Sequence, residues 1–163
     1  MRKVRRDVEA PADLGTVVIG IPEGSVLELD LRLEAVMEGV LVSGTVRGRS
    51  TGECVRCLGD VVSDLDAGIQ ELYVYPGRTP KGQEDDDELR ELEDDLIDLE
   101  PALRDAVVLA LPFQPECSVD CPGLCSECGA RLADDPDHHH ESADPRWAAL
   151  QGLQQDLHDE KES

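Results

Sequence analysis

Residues 117–129 read C-S-V-D-C-P-G-L-C-S-E-C-G, so four thiols fall within a short stretch near the middle of the carboxy-terminal half. Two cysteines separated by two residues can turn both sulfur atoms toward one point. Gly129, after the last pair, allows a positive φ at which backbone amides face the thiolates. Thiolates at this spacing suit Zn²⁺, which takes four ligands in a tetrahedron with sulfur at about 2.3 Å. The stretch therefore predicts a zinc-bound module.

A second pair, Cys54-x-x-Cys57, lies far upstream and brings the number of cysteines to 6. The basic residues at 1–6 are not followed by an apolar stretch, so they do not resemble a signal peptide. No run of about 18 apolar residues is present to span a bilayer. We therefore expect a cytoplasmic chain with no membrane partner. In that setting cysteines at these spacings favour metal over disulfides.

The candidate metal ligands can be grouped in more than one way. One grouping gives two four-ligand sites: Cys54, Cys57, Cys117 and Cys121 in the first, and Cys125, Cys128, His138 and His140 in the second. His138 and His140 form the natural histidine pair, because alternate residues of an extended segment point to the same side. Two alternatives remain open: one local site from the four cysteines of 117–128, or a zinc ribbon that joins the first pair to the last. We expect one or two structural zinc ions, in closed sites with no position for a reactive water.

Alternating apolar and polar residues predict strands in the first half of the chain. Residues 27–34 alternate leucine with charged side chains, and residues 40–47 resume the alternation after Glu38-Gly39. Two such runs joined by a glycine turn are typical of a β-hairpin. Residues 61–74 alternate again, and residues 1–24 indicate short extended pieces joined by turns. The pattern predicts an antiparallel sheet with one face in water.

Apolar residues at helical spacing predict a helix that begins near Leu99 and ends at Pro112, with Pro101 tolerated in its first turn. A second, short helix is predicted from Pro145, with Trp147 on its apolar stripe. The fold class is therefore α+β: an antiparallel β-sheet with one or two packed helices and a C-terminal zinc-binding module.

The sequence pattern predicts three regions in the chain. Residues 1–82 form the sheet region with the first cysteine pair, residues 83–98 form an acidic linker, and residues 99–163 hold the helix, the cysteine and histidine module and the short C-terminal helix. Residues 84–95 contain nine acidic side chains among twelve. That composition indicates a solvated linker, with an acidic dock for a basic partner as the alternative.

Charge is distributed unequally along the chain. The net charge is −22, and residues 83–163 hold 24 Asp and Glu against 5 Lys and Arg. A surface of this sign repels phosphate and attracts basic proteins, so broad electrostatic binding to nucleic acid is disfavoured. Arg47, Arg49 and Arg56 lie near the hairpin and the first cysteine pair, and we name them as candidate local RNA contacts. The alternative is that they are scattered surface charges.

Motifs for catalysis are missing from the sequence. No G-x-S-x-G, no H-E-x-x-H and no glycine-rich phosphate loop occurs, so we predict a protein that is not an enzyme and has no small-molecule substrate. Arg56 would lower the pKa of a neighbouring thiol, which makes a thiol redox protein a third candidate. A thioredoxin-like pair requires a βαβ context, however, and strands surround this one. A zinc-dependent protein-interaction adaptor is the stronger alternative.

Four segments together resemble the YceD-like family, over most of the chain from about residue 25 onward. They are C-V-R-C-L at 54–58, I-D-L-E-P-A-L-R-D-A-V-V-L-A-L-P at 97–112, P-E-C and C-P-G-L-C-S-E-C-G within 115–129, and D-P-R-W-A-A-L at 144–150. Members of that family are named for large ribosomal RNA subunit accumulation.

The resemblance implies a non-catalytic ribosome-biogenesis factor that supports accumulation or processing of the large-subunit (23S) rRNA. Its partner would be the ribosomal large-subunit precursor, through rRNA, a basic ribosomal protein or both. Some relatives place a C-x-C pair where His138 and His140 stand here. Relatives also tend to have an additional stretch before the point at which Met1 stands, so we expect this chain either to start late or to lack that stretch.

Overall fold

The computed structural model describes residues 1–78 and 90–140. Within those residues the chain forms seven strands and one helix: β1 (Arg2–Glu9), β2 (Leu14–Gly15), β3 (Ile19–Ile21), β4 (Val26–Ala35), β5 (Gly39–Glu53), β6 (Asp60–Val74), β7 (Arg90–Glu91) and α1 (Glu100–Ala110). The chain separates into two compact units, Met1–Cys121 and Pro122–Ser163. No helix among the described residues is long and apolar enough to cross a membrane.

Strand β5 organises the sheet of the first unit. Along one edge it pairs antiparallel with β4 and, near its end, with β3; along the other edge it pairs with β6 from Gly39 to Glu53. β1 pairs with β4, β2 pairs with β3, and β7 pairs with β6 in parallel. Gly52 permits the approach of β3, because a Cβ there would collide with the Val18 carbonyl oxygen and the Ile19 backbone. The predicted hairpin of β4 and β5 is confirmed.

One face of the sheet forms the core with the helix. The leucines of β4 point inward, as their alternation with charged residues predicts. Leu27, Val46 and Val107 have no exposed area, so strand and helix side chains share one apolar layer. On the other face, ion pairs cross between neighbouring strands, as for Arg5 Nε and Asp30 Oδ2 at 3.0 Å. The water-facing side of the sheet therefore carries cross-strand ion pairs.

Helix α1 begins and ends where its prolines predict. The Glu100 amide donates to Asp98 Oδ1 at 3.1 Å, and Pro101 occupies the first turn, where no hydrogen bond is lost. Ala102, Leu103 and Val107 are buried. The Tyr73 hydroxyl donates to the Asp98 carbonyl at 2.9 Å, and burial raises its pKa to about 12. Strand β6 thereby fixes the start of the helix.

The sheet is more dominant than the predicted α+β class implies. β5 and β6 are 15 residues each, whereas one 11-residue helix packs on the sheet among the described residues. The α+β description with packed helices is therefore only loosely met, and the second predicted helix, from Pro145, lies outside the described residues. β1 is also longer than the short pieces expected before residue 25, because Val4 and Val8 pack against the core.

Part of the expected acidic linker carries structure. Of residues 83–98, the structure describes 90–98, which contain β7 and a Leu92 that is 7% exposed and belongs to the core. An apolar side chain among carboxylates thus attaches this segment to the sheet. The division into 1–82, 83–98 and 99–163 stays a prediction.

Candidate metal centres

The turn between β5 and β6 forms the first cysteine knuckle, residues 54–59. The Cys54 amide donates to the Gly59 carbonyl at 2.7 Å, and the Leu58 amide donates to the Cys54 carbonyl at 2.9 Å. These bonds close a tight loop in which Leu58 takes φ 55°, in the left-handed region. The loop turns Cys54 and Cys57 toward the same side, at the end of the longest strand pair.

The segment after α1 brings the second pair of thiols to this knuckle. Pro112 prevents continuation of the helix, and the chain then runs past the first knuckle, where the Val55 amide donates to the Pro115 carbonyl at 2.9 Å. A further turn, from the Cys121 amide to the Ser118 carbonyl at 3.2 Å, spaces Cys117 from Cys121. The sheet supplies one half of the cluster and the post-helical segment supplies the other.

The four sulfur atoms of this first cluster, Cys54, Cys57, Cys117 and Cys121, have the spacing of a tetrahedral thiolate site. All four lie within 4.8 Å of one another. Cys54 Sγ is 3.8 Å from Cys121 Sγ, and Cys57 Sγ is 3.6 Å from Cys117 Sγ. A zinc tetrahedron with Zn–S distances of about 2.3 Å has edges of about 3.8 Å. Cys117 is exposed and the other three are buried, so the cluster opens to water on one side.

Backbone amides stabilise a thiolate in the first cluster. A hydrogen bond from the Cys117 amide, with further amides of Cys57 and Arg56, lowers the pKa of Cys54 to about 6, against the opposing effect of burial. At Cys117 a hydrogen bond with Cys121 favours the thiolate, but Cys57, burial and Cys54 together raise its pKa. Four thiols this close cannot all ionise without a cation, because like charges repel. A divalent ion would remove that conflict.

The second unit repeats the knuckle with Cys125 and Cys128. The Cys125 amide donates to the Ala130 carbonyl at 2.8 Å, and the Gly129 amide donates to the Cys125 carbonyl at 2.8 Å. These are the same two hydrogen bonds as in the first knuckle, with Gly129 at φ 73° in place of Leu58. The amides of Cys128 and Glu127 lower the pKa of Cys125 to about 6. Both knuckles are therefore built to present thiolates.

Two histidines complete the second cluster, Cys125, Cys128, His138 and His140. His140 Nε2 lies 3.3 Å from Cys125 Sγ, and His138 Nε2 lies 3.2 Å from Cys128 Sγ. The two Nε2 atoms are 3.0 Å apart, and all four ligand atoms lie within 4.8 Å. With Zn–N near 2.1 Å and Zn–S near 2.3 Å, a tetrahedral site has S–N edges of about 3.6 Å. The observed set is a few tenths of an ångström tighter.

Carboxylates stand behind both histidine rings. Asp135 Oδ2 lies 3.6 Å from His138 Nδ1, and Glu127 Oε2 lies 3.6 Å from His140 Nδ1. A carboxylate on the far nitrogen orients a ligating imidazole with Nε2 toward the metal. His139 faces elsewhere, with Nδ1 2.9 Å from the Asp137 carbonyl oxygen. Sequence spacing did not identify Asp135 or Glu127, although an acidic residue three positions before His138 is a usable signal.

The structure brings together the two groups of four that the first sequence grouping names. The rival sets, the four cysteines of 117–128 or the first pair with the last, are not the groups that lie within ligand distance among the described residues. The donor types fit zinc in both clusters, because thiolate and imidazole are its usual ligands. The roles of these eight residues as zinc ligands stay a prediction.

The three candidate RNA-contact arginines lie in two different settings. Arg47 Nε is 2.8 Å from Asp66 Oδ2, and that hydrogen bond raises the pKa of Arg47 above its ordinary value. Arg49 Nε is 3.6 Å from Asp64 Oδ1. Arg56 is an exposed residue of the first knuckle. Two of the three thus face carboxylates on β6, which reduces the attraction that each offers to a phosphate.

A family model described as "Large ribosomal RNA subunit accumulation protein YceD" matches residues 42–154. The matched range contains both clusters. The chain belongs to the YceD family. The name of the YceD family implies a role in the accumulation of large-subunit ribosomal RNA, and it describes no catalysed reaction.

Relatives of this YceD family member occur in several bacteria. The chain is 47% identical over 150 residues to the uncharacterized protein Rv2926c of Mycobacterium tuberculosis, and the aligned region covers 92% of this chain and 72% of that protein. It is 42% identical over 147 residues to ML1660 of Mycobacterium leprae, covering 90% and 68%. Identity to YlbN of Bacillus subtilis is 29% over 112 residues, covering 67% and 63%. No solved structure matched the chain.

Proposed function

We propose that this chain is a non-catalytic ribosome-biogenesis factor that supports accumulation and processing of the large-subunit 23S rRNA in the cytoplasm. The observation that carries the proposal is the family membership, through a match that spans both clusters. The geometry supports the non-catalytic part, because each cluster already offers four ligands. A site of that kind holds structure and leaves no position for a substrate.

Zinc is the proposed cofactor, with one ion in each cluster. Cys54, Cys57, Cys117 and Cys121 would hold the first ion, and Cys125, Cys128, His138 and His140 would hold the second. The ion supplies positive charge that lets four close donors stay deprotonated. In the first unit the residues join the β5–β6 turn to the segment that follows α1. In the second unit they fix residues 122–140, the described part of that unit, which contain no helix or named strand.

The proposed partner is the large-subunit precursor, and charge favours its basic proteins over bare RNA. The chain carries a net charge of −22. Arg47 and Arg49 face Asp66 and Asp64, so a phosphate would have to compete with carboxylates for them. A basic ribosomal protein meets no such competition from the acidic surface. We propose contact of Arg47, Arg49 and Arg56 with rRNA as the alternative to contact with a basic protein.

Depletion of the protein in its own host tests this function. We expect fewer free large subunits and less 23S rRNA, with 16S rRNA unchanged, in gradient profiles and RNA quantification. Expression of the unaltered chain should restore the profile, whereas a chain with Cys54→Ser and Cys121→Ser should not. An unchanged large-subunit profile after full depletion would contradict the proposal.

A zinc-dependent adaptor unrelated to ribosomes is the second candidate, favoured by the same acidity, since any basic protein would be attracted. Crosslinked complexes from cells discriminate between the two, because the adaptor requires basic partners that are absent from ribosomal precursors. A thiol redox protein is the third, favoured by the pKa of about 6 at Cys54. Disulfide reductase activity of the zinc-loaded chain tests it, and we expect none.

A further inference from the structure

The two knuckles differ at one position in a way that costs stability in the first of them. Gly129 closes the second knuckle at φ 73°, where glycine meets no steric penalty. Leu58 closes the first at φ 55°, where a Cβ crowds the following carbonyl. Leu58 as a residue is also 56% exposed. An apolar side chain is thus held toward water at a backbone position that favours glycine, and strain of this kind concentrates at functional sites.

Other exposed apolar residues lie in the two chain segments that carry the first cluster. Phe113, the one phenylalanine of the chain, is 90% exposed and lies two residues before Pro115, whose carbonyl accepts the Val55 amide. Val55 is 42% exposed, and Val119, between Cys117 and Cys121, is 88% exposed. The hydrogen bond from Val55 to Pro115 joins the first knuckle to the segment after α1, and the sulfur atoms of the two segments lie 3.6 to 3.8 Å apart. We call these four side chains, Val55, Leu58, Phe113 and Val119, the apolar rim.

Charged side chains near the apolar rim are mostly acidic. Glu53 and Asp60 stand opposite each other at the end of the β5–β6 ladder, directly before and after the first knuckle. Glu116 and Asp120 flank Cys117 and Cys121 and are exposed. Arg56 is the basic exception. Carboxylates of this density repel RNA and attract lysine and arginine, so the charge selects a basic protein as the occupant.

We propose that the apolar rim of the first cluster is a docking surface for a basic segment of a large-subunit ribosomal protein, which inserts an apolar side chain against Leu58 and Phe113 while its cations pair with the flanking carboxylates. This inference rests on the proposed function and specifies its partner and its surface. Apolar anchors ringed by charge are the usual arrangement of a protein interface, in which a few central side chains dominate the affinity.

The test uses the full chain loaded with zinc and two probes: ribosomal proteins extracted free of rRNA from purified large subunits, and naked 23S rRNA. The wild-type chain should retain a basic protein from the first probe, identified by mass spectrometry and then titrated. Leu58→Gly and Phe113→Ser should each raise its dissociation constant about ten-fold or more. Leu58→Gly should keep its zinc and melt at or above the wild-type temperature, since it relieves the backbone strain.

Val17→Ser is the matched control, because Val17 is an apolar residue of the same unit that is fully exposed, at 104%, between β2 and β3. It should bind as the wild type does. The docking surface is overturned if Leu58→Gly and Phe113→Ser bind unchanged, if Val17→Ser weakens binding equally, or if the wild type retains 23S rRNA alone or nothing. Phe113 lies outside both knuckles, so its variant remains decisive even if Leu58→Gly alters the first.

Depletion in the host separates a failure of this surface from a failure of the proposed function. If depletion leaves large subunits intact, the proposed function fails whatever the variants bind. If depletion removes large subunits and Leu58→Gly restores them fully with unchanged binding, the docking surface alone fails.

Discussion

Cys54 Sγ lies 3.8 Å from Cys121 Sγ, although the two residues are 67 positions apart in the chain. Their contact joins the β5–β6 turn to the segment after α1. A cross-link between such distant positions closes a long loop, and closing a long loop removes much of the entropy of the unfolded chain. A metal held here would therefore stabilise the whole first unit and not only its end.

Substitutions on α1 test the packing of the helix on the sheet. Val107 has no exposed area, and Val107→Ala should lower the free energy of unfolding by about 1–3 kcal/mol, because it leaves a cavity between helix and strands. Leu109 is 85% exposed on the same helix, and Leu109→Ala should change it by less than about 0.5 kcal/mol. Denaturant titration of both variants measures the difference. Equal losses of stability in the two variants would contradict the packing of Val107 against the sheet.

Neighbouring histidines provide a matched test of the second cluster. His138→Ala should remove one zinc ion per chain, because His138 Nε2 lies 3.2 Å from Cys128 Sγ. His139→Ala should remove none, because its Nδ1 faces the Asp137 carbonyl. Metal analysis after gel filtration gives the count for each. A loss of zinc in the His139 variant, or full zinc in the His138 variant, would count against the proposed ligand set.

Acid should release the metal. The pKa values of Cys54 and Cys125 are lowered to about 6, so these two thiolates persist at neutral pH, and protons compete with the metal for them as the pH falls through that value. Because these pKa values are depressed, their stabilising contribution is complete above the ordinary thiol value and is lost as the pH falls through about 6. A zinc indicator should report retention at pH 7.5 and release below pH 6. Release already above pH 8 would contradict the thiolate environment.

Exposed arginines on the sheet should matter little for folding. Arg47 and Asp66 form a cross-strand pair in which both side chains are more than half exposed, so Arg47→Ala should leave the melting temperature nearly unchanged. If Arg47 and Arg49 contact rRNA, the double alanine variant should weaken binding to naked 23S rRNA and reduce its salt dependence. Filter binding at two salt concentrations measures both. Unchanged binding and unchanged salt dependence would remove these arginines as RNA contacts.

Much of the sheet could be predicted because its signals are local. The leucines of residues 27–34 alternate with charges, and Glu38-Gly39 marks the turn that joins β4 to β5. The prolines at 101 and 112 predict both ends of α1. By contrast, β7 is two residues long and pairs in parallel with β6, a contact that no periodicity reveals. The packing of β3 beside Gly52 likewise depends on a close approach in space.

The candidate site could be predicted only in part. Each C-x-x-C pair is a local signal, and both form the expected knuckle. Spacing alone left three groupings of the ligands open, because it does not say which segments meet. The meeting of Cys54 with Cys121 depends on where α1 delivers the chain, which is a property of the packed fold. The sequence analysis also did not predict the left-handed conformation of Leu58. The sequence does show that the first knuckle has a leucine where the second has Gly129.

Counting zinc by native mass spectrometry, on the full chain purified under reducing conditions, tests the central claim most directly. We expect two zinc ions per chain, one after Cys54→Ser or Cys121→Ser, and one after His138→Ala, with the first unit unfolding when chelator removes its ion. A chain that carries no metal, or that keeps its melting temperature in chelator, would contradict the claim that distant thiols converge on an ion and hold this fold together.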